Sequence, residues 1–285
     1  MVADASKPPP AEPATGPLRL AALRGAGGWA RATDFVAAQG WPGFDSGALL
    51  ESAPPSSPGS GDLEVVGCLG DGGVLGGVAV RSGPRGAVVA PLPEAWPPLA
   101  GWVAAARPGL ALLSGPAPVL DALAAARPAL FERAGEFRLW MTVLGTLQPS
   151  ASTLPPVRRA RLRDAPVLHQ IYGGIPWMRL ADVATMRARL RAQPAFVAEI
   201  GGRPVAVARW TRRFRHLVEV GAVACDPDHQ RQGAATAVVI AACQAARRAR
   251  RQVLLRYGDP ETGPLYHRLG FQHVGQAVIR EWPAA

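Results

Sequence analysis

The segment Val220–Ala237, which reads VGAVACDPDHQRQGAATA, constrains the fold of this chain more than any other stretch. It begins with an apolar run, Val220–Cys225, that predicts a strand. Pro227 then ends the strand, because proline has no N–H to donate to a neighbouring strand. A turn follows, and small residues at 233–236 open a long apolar helix that extends to about residue 250. The segment predicts an α/β fold in which a buried strand turns directly into a helix.

The start of this helix is suited to bind a phosphate group. The N–H groups of a first helical turn have no partner inside the helix, and the helix dipole places positive charge there. A pyrophosphate can therefore bind to them without a charged side chain. Gly233 supplies a permissive backbone, and Ala235 lacks the bulk that would keep the helix away from the sheet. The alternative is an ordinary helix start that happens to consist of small residues.

Helices and strands are predicted on both sides of this segment in the C-terminal half. Two helices come first and are followed by three strands, the long helix, a strand, a short helix and a last strand. Their approximate ranges are 163–172, 180–192, 195–200, 204–212, 217–225, 233–250, 252–257, 263–269 and 272–282. This order predicts a mixed α/β sheet.

Two motifs in this half resemble those of a known enzyme family. Gln230-Arg231-Gln232-Gly233-Ala234-Ala235 resembles the Gln/Arg-x-x-Gly-x-Gly/Ala signature of the GNAT N-acetyltransferases. Leu265-Tyr266-His267-Arg268-Leu269-Gly270-Phe271 is similar to that family's Leu-Tyr-x-x-Leu-Gly-Phe segment. The resemblance implies the GNAT acyl-CoA N-acyltransferase fold, with acetyl-CoA or CoA bound between splayed central strands and no metal.

The resemblance also implies which residues bind the cosubstrate. The backbone of the strand should pair with the pantetheine arm, and the helix start should bind the pyrophosphate. The expected set is Val223, Ala224, Cys225, Gln230, Arg231, Gln232, Gly233, Ala234, Ala235, Thr236, Asp259 and Tyr266. The family often has asparagine where this chain has Asp259, so a hydrogen bond from this position to pantetheine is the least supported contact.

Two residues are candidates for proton transfer. Tyr266 matches the family tyrosine whose hydroxyl points at the sulfur of coenzyme A, and we predict that it protonates the leaving thiolate. Glu219 lies 14 residues before Gly233, where some family members carry a catalytic glutamate, and it is the predicted base. The alternatives are a tyrosine that only packs and an ion pair between Glu219 and an arginine such as Arg209. His216 is a weaker candidate base.

Three further residues are candidates for the site. The thiol of Cys225 would permit a ping-pong reaction, which we do not favour because the backbone of this residue is the expected contact. Trp177 and Met178 follow the first helix of the domain and are suited either to line the acceptor site or to pack in the core.

The N-terminal half is a smaller α/β domain by the same criteria. Strands are predicted at 63–69, 74–81, 86–90, 110–113 and 137–144, and helices at 98–106 and 117–126. Their layout is compatible with a degenerate copy of the GNAT fold, without a phosphate-binding loop, in a structural or acceptor-shaping role. The predicted division is a disordered arm at 1–17, the first domain at 18–146, a linker at 147–157 and the GNAT domain at 158–285.

The net charge of +10 raises the question of nucleic-acid binding. Lys7 is the only lysine, and the arginines accompany abundant Ala, Pro and Gly, which indicates a coding bias over the whole chain. The arginines at the end of the long helix, Arg247, Arg248, Arg250 and Arg251, are interpreted as favourable charge at a helix C-terminus. Nucleic acid is therefore not the expected partner, although the positive field would attract a polyanionic cosubstrate.

The remaining composition indicates a cytoplasmic protein. No apolar run reaches the roughly 18 residues of a membrane span, and the first seventeen residues lack the apolar core of a signal peptide. Cys68, Cys225 and Cys243 form neither a CxxC pair nor a Cys/His cluster, so neither a disulfide nor a metal site is expected. A homodimer is compatible with the sequence.

The expected function is direct transfer of an acetyl group from acetyl-CoA to a primary amine of a small molecule or peptide. The alternative is a non-catalytic acyl-CoA-binding or regulatory protein that has kept the cofactor loop.

Overall fold

The computed structural model describes residues 17–52, 63–148, 153–175, 178 and 182–283. The predicted arm, apart from residue 17, lies outside this part of the chain, as do residues 149–152 of the predicted linker. Two compact units are formed: unit 1 comprises Met1–Leu139 with Gly275–Ala285, and unit 2 comprises Trp140–Val274.

The strands of the described part, in chain order, are β1 (Arg19–Ala22), β2 (Leu63–Leu69), β3 (Leu75–Ser82), β4 (Arg85–Val89), β5 (Leu112–Pro116), β6 (Gly135–Leu144), β7 (Val157–Arg159), β8 (Ala195–Ile200), β9 (Arg203–Phe214), β10 (Leu217–Cys225), β11 (Gln252–Tyr257) and β12 (Phe271–Glu281). The α-helices are α1 (Gly25–Ala38), α2 (Phe44–Ser52), α3 (Trp96–Ala106), α4 (Ala117–Ala126), α5 (Pro128–Phe131), α6 (Ala165–Gly173), α7 (Val183–Ala192), α8 (Ala234–Arg248) and α9 (Gly263–Arg268). Each described helix falls short of what a membrane span requires in length and hydrophobicity.

Unit 2 is built on a mixed sheet with the strand order β6-β11-β10-β9-β8-β7. Strands β10 and β11 are parallel and pair only where Leu217–Glu219 meet Gln252–Leu254. Beyond that point β11 pairs antiparallel with the end of β6, whereas β10 continues along β9. The two central strands therefore separate just after Glu219, which opens the sheet.

Two apolar cores cover the faces of this sheet. Helix α8 packs over one core, which includes Ala208 and Val218, and helices α6 and α7 pack over the other, which includes Val207 and Val197. Neighbouring residues such as Val207 and Ala208 belong to different cores because successive side chains of a strand point to opposite faces. The sheet is thus buried on both sides, which fixes its register.

Unit 1 repeats this architecture. Its strand order is β1-β2-β3-β4-β5-β12, and β4 and β5 form a parallel pair over only three positions, like β10 and β11. From β1 to β6 and from β7 to β12, the chain passes through the same sequence of elements, apart from the short extra helix α5. The predicted mixed α/β class, with a GNAT-like layout in the first half, is confirmed.

Each unit receives its final strand from the other half of the chain. Strand β12 pairs with β5 of unit 1, and residues 140–143 of β6 pair with β11 of unit 2. The predicted division of the chain at residues 147–157 follows chain order. It therefore assigns β6 to the first domain and β12 to the second, whereas most of β12 belongs to unit 1 and residues 140–144 of β6 belong to unit 2. Residues 18–62 were assigned no element from the sequence, yet they form β1, α1 and α2 in their described part.

Candidate active site

A cavity of about 1130 Å³ lies in unit 2 beside the separated end of β10. This volume slightly exceeds the usual range for small-molecule sites, so the cavity has room for a large ligand. Its walls come from the end of β10, the loop into α8, the helices α8 and α9, the end of α6 and the residues before β7. The lining residues are Thr153, Leu154, Ile171, Gly174, Ile175, Val223, Ala224, Cys225, Pro227, Gln230, Arg231, Gln232, Gly233, Ala234, Ala235, Thr236, Thr262, Leu265, Tyr266, Arg268 and Leu269.

The residues of the first turn of α8 line this cavity. Gly233 is the N-cap in the left-handed region, at φ 77°, and its carbonyl accepts the first helical hydrogen bond from the N–H of Ala237 at 2.9 Å. The N–H groups before Ala237 thus precede the helix's own hydrogen bonds. A side chain at position 233 would approach Leu154 Cδ2 to 2.9 Å. The backbone angle therefore favours glycine at this position, and a larger residue would also have to displace the end of the Leu154 side chain.

The structure brings together all but one of the residues that were predicted to bind the cosubstrate. Those on β10 and at the start of α8 line the cavity together with Tyr266. Asp259 is absent from the lining residues. Its carboxylate accepts the N–H of Glu261 at 2.9 Å and caps the short turn before α9. Arg268 lines the cavity without having been predicted, and its guanidinium suits phosphate binding.

Tyr266 lies in α9 with its ring almost fully buried. The ring centroid is 5.5 Å from that of Tyr257 and 6.0 Å from that of Phe271. Burial, with a smaller contribution from Tyr257, raises the pKa of the Tyr266 hydroxyl to about 12. The hydroxyl therefore keeps its proton at neutral pH and is able to donate a hydrogen bond into the cavity.

Glu219 is buried and does not line the cavity. Its Oε1 accepts from Arg256 Nε at 2.7 Å and Arg212 Nη2 at 3.4 Å. Its Oε2 accepts from Arg212 Nε at 3.0 Å and from the Thr211 hydroxyl. The carboxylate is thus in ion pairs with two arginines, neither of which is Arg209. Its role as the base stays a prediction.

A buried tyrosine that the sequence did not single out holds the irregular part of β10. Ala222 has a positive φ of 48°, inside a register shift between Gly221 and Ala224. The Tyr172 hydroxyl donates to the carbonyl oxygen of Ala222 at 2.6 Å, and Arg209 in turn hydrogen-bonds Tyr172. This contact fixes the backbone next to Val223, which lines the cavity. Only long-range packing reveals it, since a tyrosine in an apolar helix carries no distinctive sequence signal.

The other sequence candidates have the following places. Cys225 lines the cavity, and its thiol donates to the carbonyl oxygens of Asp226 and His229, both at 3.5 Å. Burial, with a contribution from Asp226, raises the pKa of the thiol, which disfavours the nucleophilic thiolate. His216 is exposed in the turn between β9 and β10. Trp177 lies outside the described residues, while Met178 packs against the core beneath α6.

The arginines Arg247, Arg248 and Arg250 are exposed at the far end of α8, and Arg251 is half-buried.

Comparison with known proteins agrees with this geometry. Residues 191–273 match the family model described as the acetyltransferase (GNAT) domain. The comparison with curated proteins gave no match. The matched residues all lie within unit 2, and the match supports an acyl-CoA-dependent N-acyltransferase at the family level.

Solved structures show a similar fold over nearly the whole chain. A protein from Drosophila superposes with a TM-score of 0.66 at 14% identity, covering 94% of this chain and 99% of that one. A tandem GNAT protein from the clavulanic acid biosynthesis pathway superposes with a TM-score of 0.57 at 15% identity, covering 94% and 99%. A GCN5-related N-acetyltransferase from Kribbella flavida gives 0.56 at 19% identity, covering 89% and 96%. The chain therefore has the fold of a two-unit GNAT protein.

Proposed function

We propose that this chain transfers an acetyl group from acetyl-CoA directly to a primary amine of a small molecule or peptide. The observation that supports the proposal is a single cavity that combines three features. These are the first turn of α8, whose N–H groups precede the helix's own hydrogen bonds, the separated end of β10, and Tyr266. A diphosphate at α8 would direct the thioester of the same molecule along β10 towards Tyr266.

The reaction would proceed in a ternary complex. The amine nitrogen attacks the thioester carbonyl carbon, the C–N bond forms, the C–S bond breaks, and a proton of the amine ends on sulfur. Backbone N–H groups at the irregular part of β10 polarise the carbonyl oxygen. Tyr172 keeps that backbone in place through its hydrogen bond to Ala222. The side chain of Cys225 takes no part in the transfer.

Tyr266 acts on the leaving sulfur. A thiol has a reference pKa of about 8.5, below the value of about 12 for this tyrosine. The hydroxyl therefore stabilises the thiolate chiefly by donating a hydrogen bond. When it passes its proton to sulfur, it regains one from the nitrogen that has just been acylated. At the end of the reaction the tyrosine is protonated again.

Replacing Tyr266 with phenylalanine should lower kcat by about a hundredfold, the size expected for loss of one proton donor. The affinity for acetyl-CoA should stay within about twofold, because the ring and its packing remain. Turnover is measured as free thiol release, and affinity by calorimetry. Tyr257→Phe is the matched control, since the Tyr257 ring contacts that of Tyr266 but does not line the cavity. An equal loss of turnover and affinity in Tyr266→Phe would instead indicate a packing role.

Unit 1 is expected to bind no acetyl-CoA. At the position equivalent to the α8 loop, the short turn before α3 contains Pro93 and the acidic Glu94, and the first turn of α3 contains Pro97 and Pro98. The prolines have no N–H to offer a phosphate. The indole N–H of Trp96 donates to the carbonyl oxygen of Ala90 at 3.2 Å. Titration calorimetry should therefore give one acetyl-CoA per chain, and a stoichiometry of two would contradict this.

A second candidate function is binding of acyl-CoA without catalysis. It is favoured by one observation, the absence of Asp, Glu and His among the described lining residues of the cavity. A screen of primary amines that follows free thiol release distinguishes the two functions. Acetyl-CoA binding without thiol release from any amine would support the binding protein. No binding at millimolar acetyl-CoA would contradict both.

A further inference from the structure

The carboxylate of Glu219 has no free position at which to accept a proton. A carboxylate offers about four acceptor positions. In unit 2, four donor groups occupy them, from Thr211, Arg256 and twice from Arg212. The side chains of Glu219 and Arg256 are only 8% and 7% exposed, so water has little access to either partner. A proton taken from an amine would therefore have to displace one of these donors.

Among the described residues, no carboxylate and no imidazole lines the cavity. Its titratable lining side chains within the described residues are Cys225, Arg231, Tyr266 and Arg268. The thiol and the phenol both have raised pKa values, so at neutral pH each is protonated and is a donor. Between Ile175 and Asp182, the sequence Pro-Trp-Met-Arg-Leu-Ala contains neither a carboxylate nor an imidazole.

The charge of unit 2 also works against a bound ammonium ion. Residues 140–274 contain 20 arginines and 8 acidic residues, a net charge of +12, while the rest of the chain carries −2. The positive charge is therefore concentrated in unit 2, whereas the arginine bias had indicated a chain-wide excess. Arg231 and Arg268 bring this charge to the cavity wall. Such a field favours the neutral form of an amine over its protonated form.

We propose that the acceptor binds as an amine that has already lost its proton in solution, and that the enzyme's preferred acceptors are α-amino groups rather than lysine-type ε-amino groups. This rests on the proposed acetyl transfer. The neutral amine attacks the thioester, the C–N bond forms and the C–S bond breaks. The remaining excess proton passes from nitrogen to sulfur with the help of Tyr266, so no protein carboxylate is needed.

The expected preference is large. An α-amino group has a pKa of about 7.7–8.0 and a lysine side chain about 10.4. At pH 7 the neutral fraction is about one in ten for the first and about one in 2,500 for the second. With no base to assist, protonation alone should give α-amines an advantage in kcat/KM of about 300-fold at pH 7.

The test compares two acceptors on the unmodified full-length chain. One is a dipeptide amide with only an α-amino group, and the other is a lysine amide blocked at its α-nitrogen. With acetyl-CoA saturating, kcat/KM for the acceptor is followed by thiol release from pH 6 to 9.5. We expect a tenfold rise per pH unit that levels near pH 8 for the dipeptide. For the blocked lysine, the same rise in kcat/KM should continue to pH 9.5. The high pKa of Tyr266 predicts no alkaline fall in this range.

The plot of kcat/KM against pH should thus have its inflection at the pKa of the acceptor used. Glu219→Gln should leave the pH of that inflection unchanged. Glu199→Gln is the matched control for a loss of one negative charge in the same unit. An inflection at the same pH with both acceptors, lost in Glu219→Gln, would overturn the inference and identify Glu219 as the base. The inference would also be overturned if the blocked lysine and the dipeptide were acetylated equally fast at pH 7. It would likewise be overturned if other amines were acetylated and neither of these two acceptors was. Acetyl-CoA binding without thiol release from any amine would instead contradict the proposed function.

Discussion

Replacing Glu219 with alanine is expected to destabilise unit 2 by about 3–5 kcal/mol, the usual cost of breaking a buried ion pair. The substitution leaves the guanidinium of Arg256 buried without its carboxylate partner, from which its Nε lies 2.7 Å away. Arg212 and Thr211 lose the same acceptor. The position also lies where β10 and β11 stop pairing, so the loss falls on the junction of the open sheet.

Urea unfolding measures this effect, and Glu199→Ala is its control. Glu199 pairs with Arg158 at 2.8 Å, but both side chains are about a quarter exposed. Such a pair should contribute about 1 kcal/mol or less. Equal destabilisation by the two alanine substitutions would mean that the Glu219 network contributes little. In that case the carboxylate would also be freer to accept a proton.

The part of the site that could be predicted from the sequence consists of residues that are close together in the chain. The strand, the Asp-Pro exit, Gly233 and the start of α8 lie within eighteen consecutive residues, and backbone rules alone determine their arrangement. The structure places this segment at the cavity, with Gly233 at the positive φ that such a turn requires. Tyr266 was found from a second local motif.

The environment of Glu219 could not be predicted because its partners come from the two neighbouring strands, β9 and β11. Arg212 and Arg256 lie 7 and 37 residues away, and strand pairing with a register shift decides which arginine reaches the carboxylate. The sequence suggested Arg209, which instead hydrogen-bonds Tyr172. A register shift of one residue along β9 moves a side chain to the other face of the sheet. The register therefore decides whether Arg209 or Arg212 reaches Glu219.

The exchange of final strands has a similar cause. Strands β6 and β12 each follow a helix in the same way, and their sequences indicate only that they are strands. Which parallel pair each one joins depends on contacts across more than a hundred residues, such as that between Leu254 and Val143. Sequence-based division of the chain necessarily follows chain order.

Replacing Ala235 with glutamate is expected to weaken acetyl-CoA binding by roughly a hundredfold without loss of stability. Ala235 lies in the first turn of α8 and lines the cavity, where it is half-buried and is not part of the apolar core between α8 and the sheet, contrary to the close packing predicted from the sequence. A carboxylate there would repel a bound diphosphate by about 3 kcal/mol for one charge pair about 5 Å apart at an effective dielectric constant near 20. The same charge should stabilise the helix by about 0.3–1 kcal/mol, because it lies at the positive end of the helix dipole.

The opposite signs of these two effects separate a binding role from a folding role. Ala235→Gln is the control for size, because it adds nearly the same bulk without the charge. Calorimetry should show much weaker acetyl-CoA binding for the glutamate variant than for the glutamine variant, while thermal unfolding shows the glutamate variant to be at least as stable. If both variants bound acetyl-CoA equally well, no phosphate would lie at the start of α8. Tyr266 would then have no thioester directed towards it, and the proposed acetyl transfer would lose its structural basis.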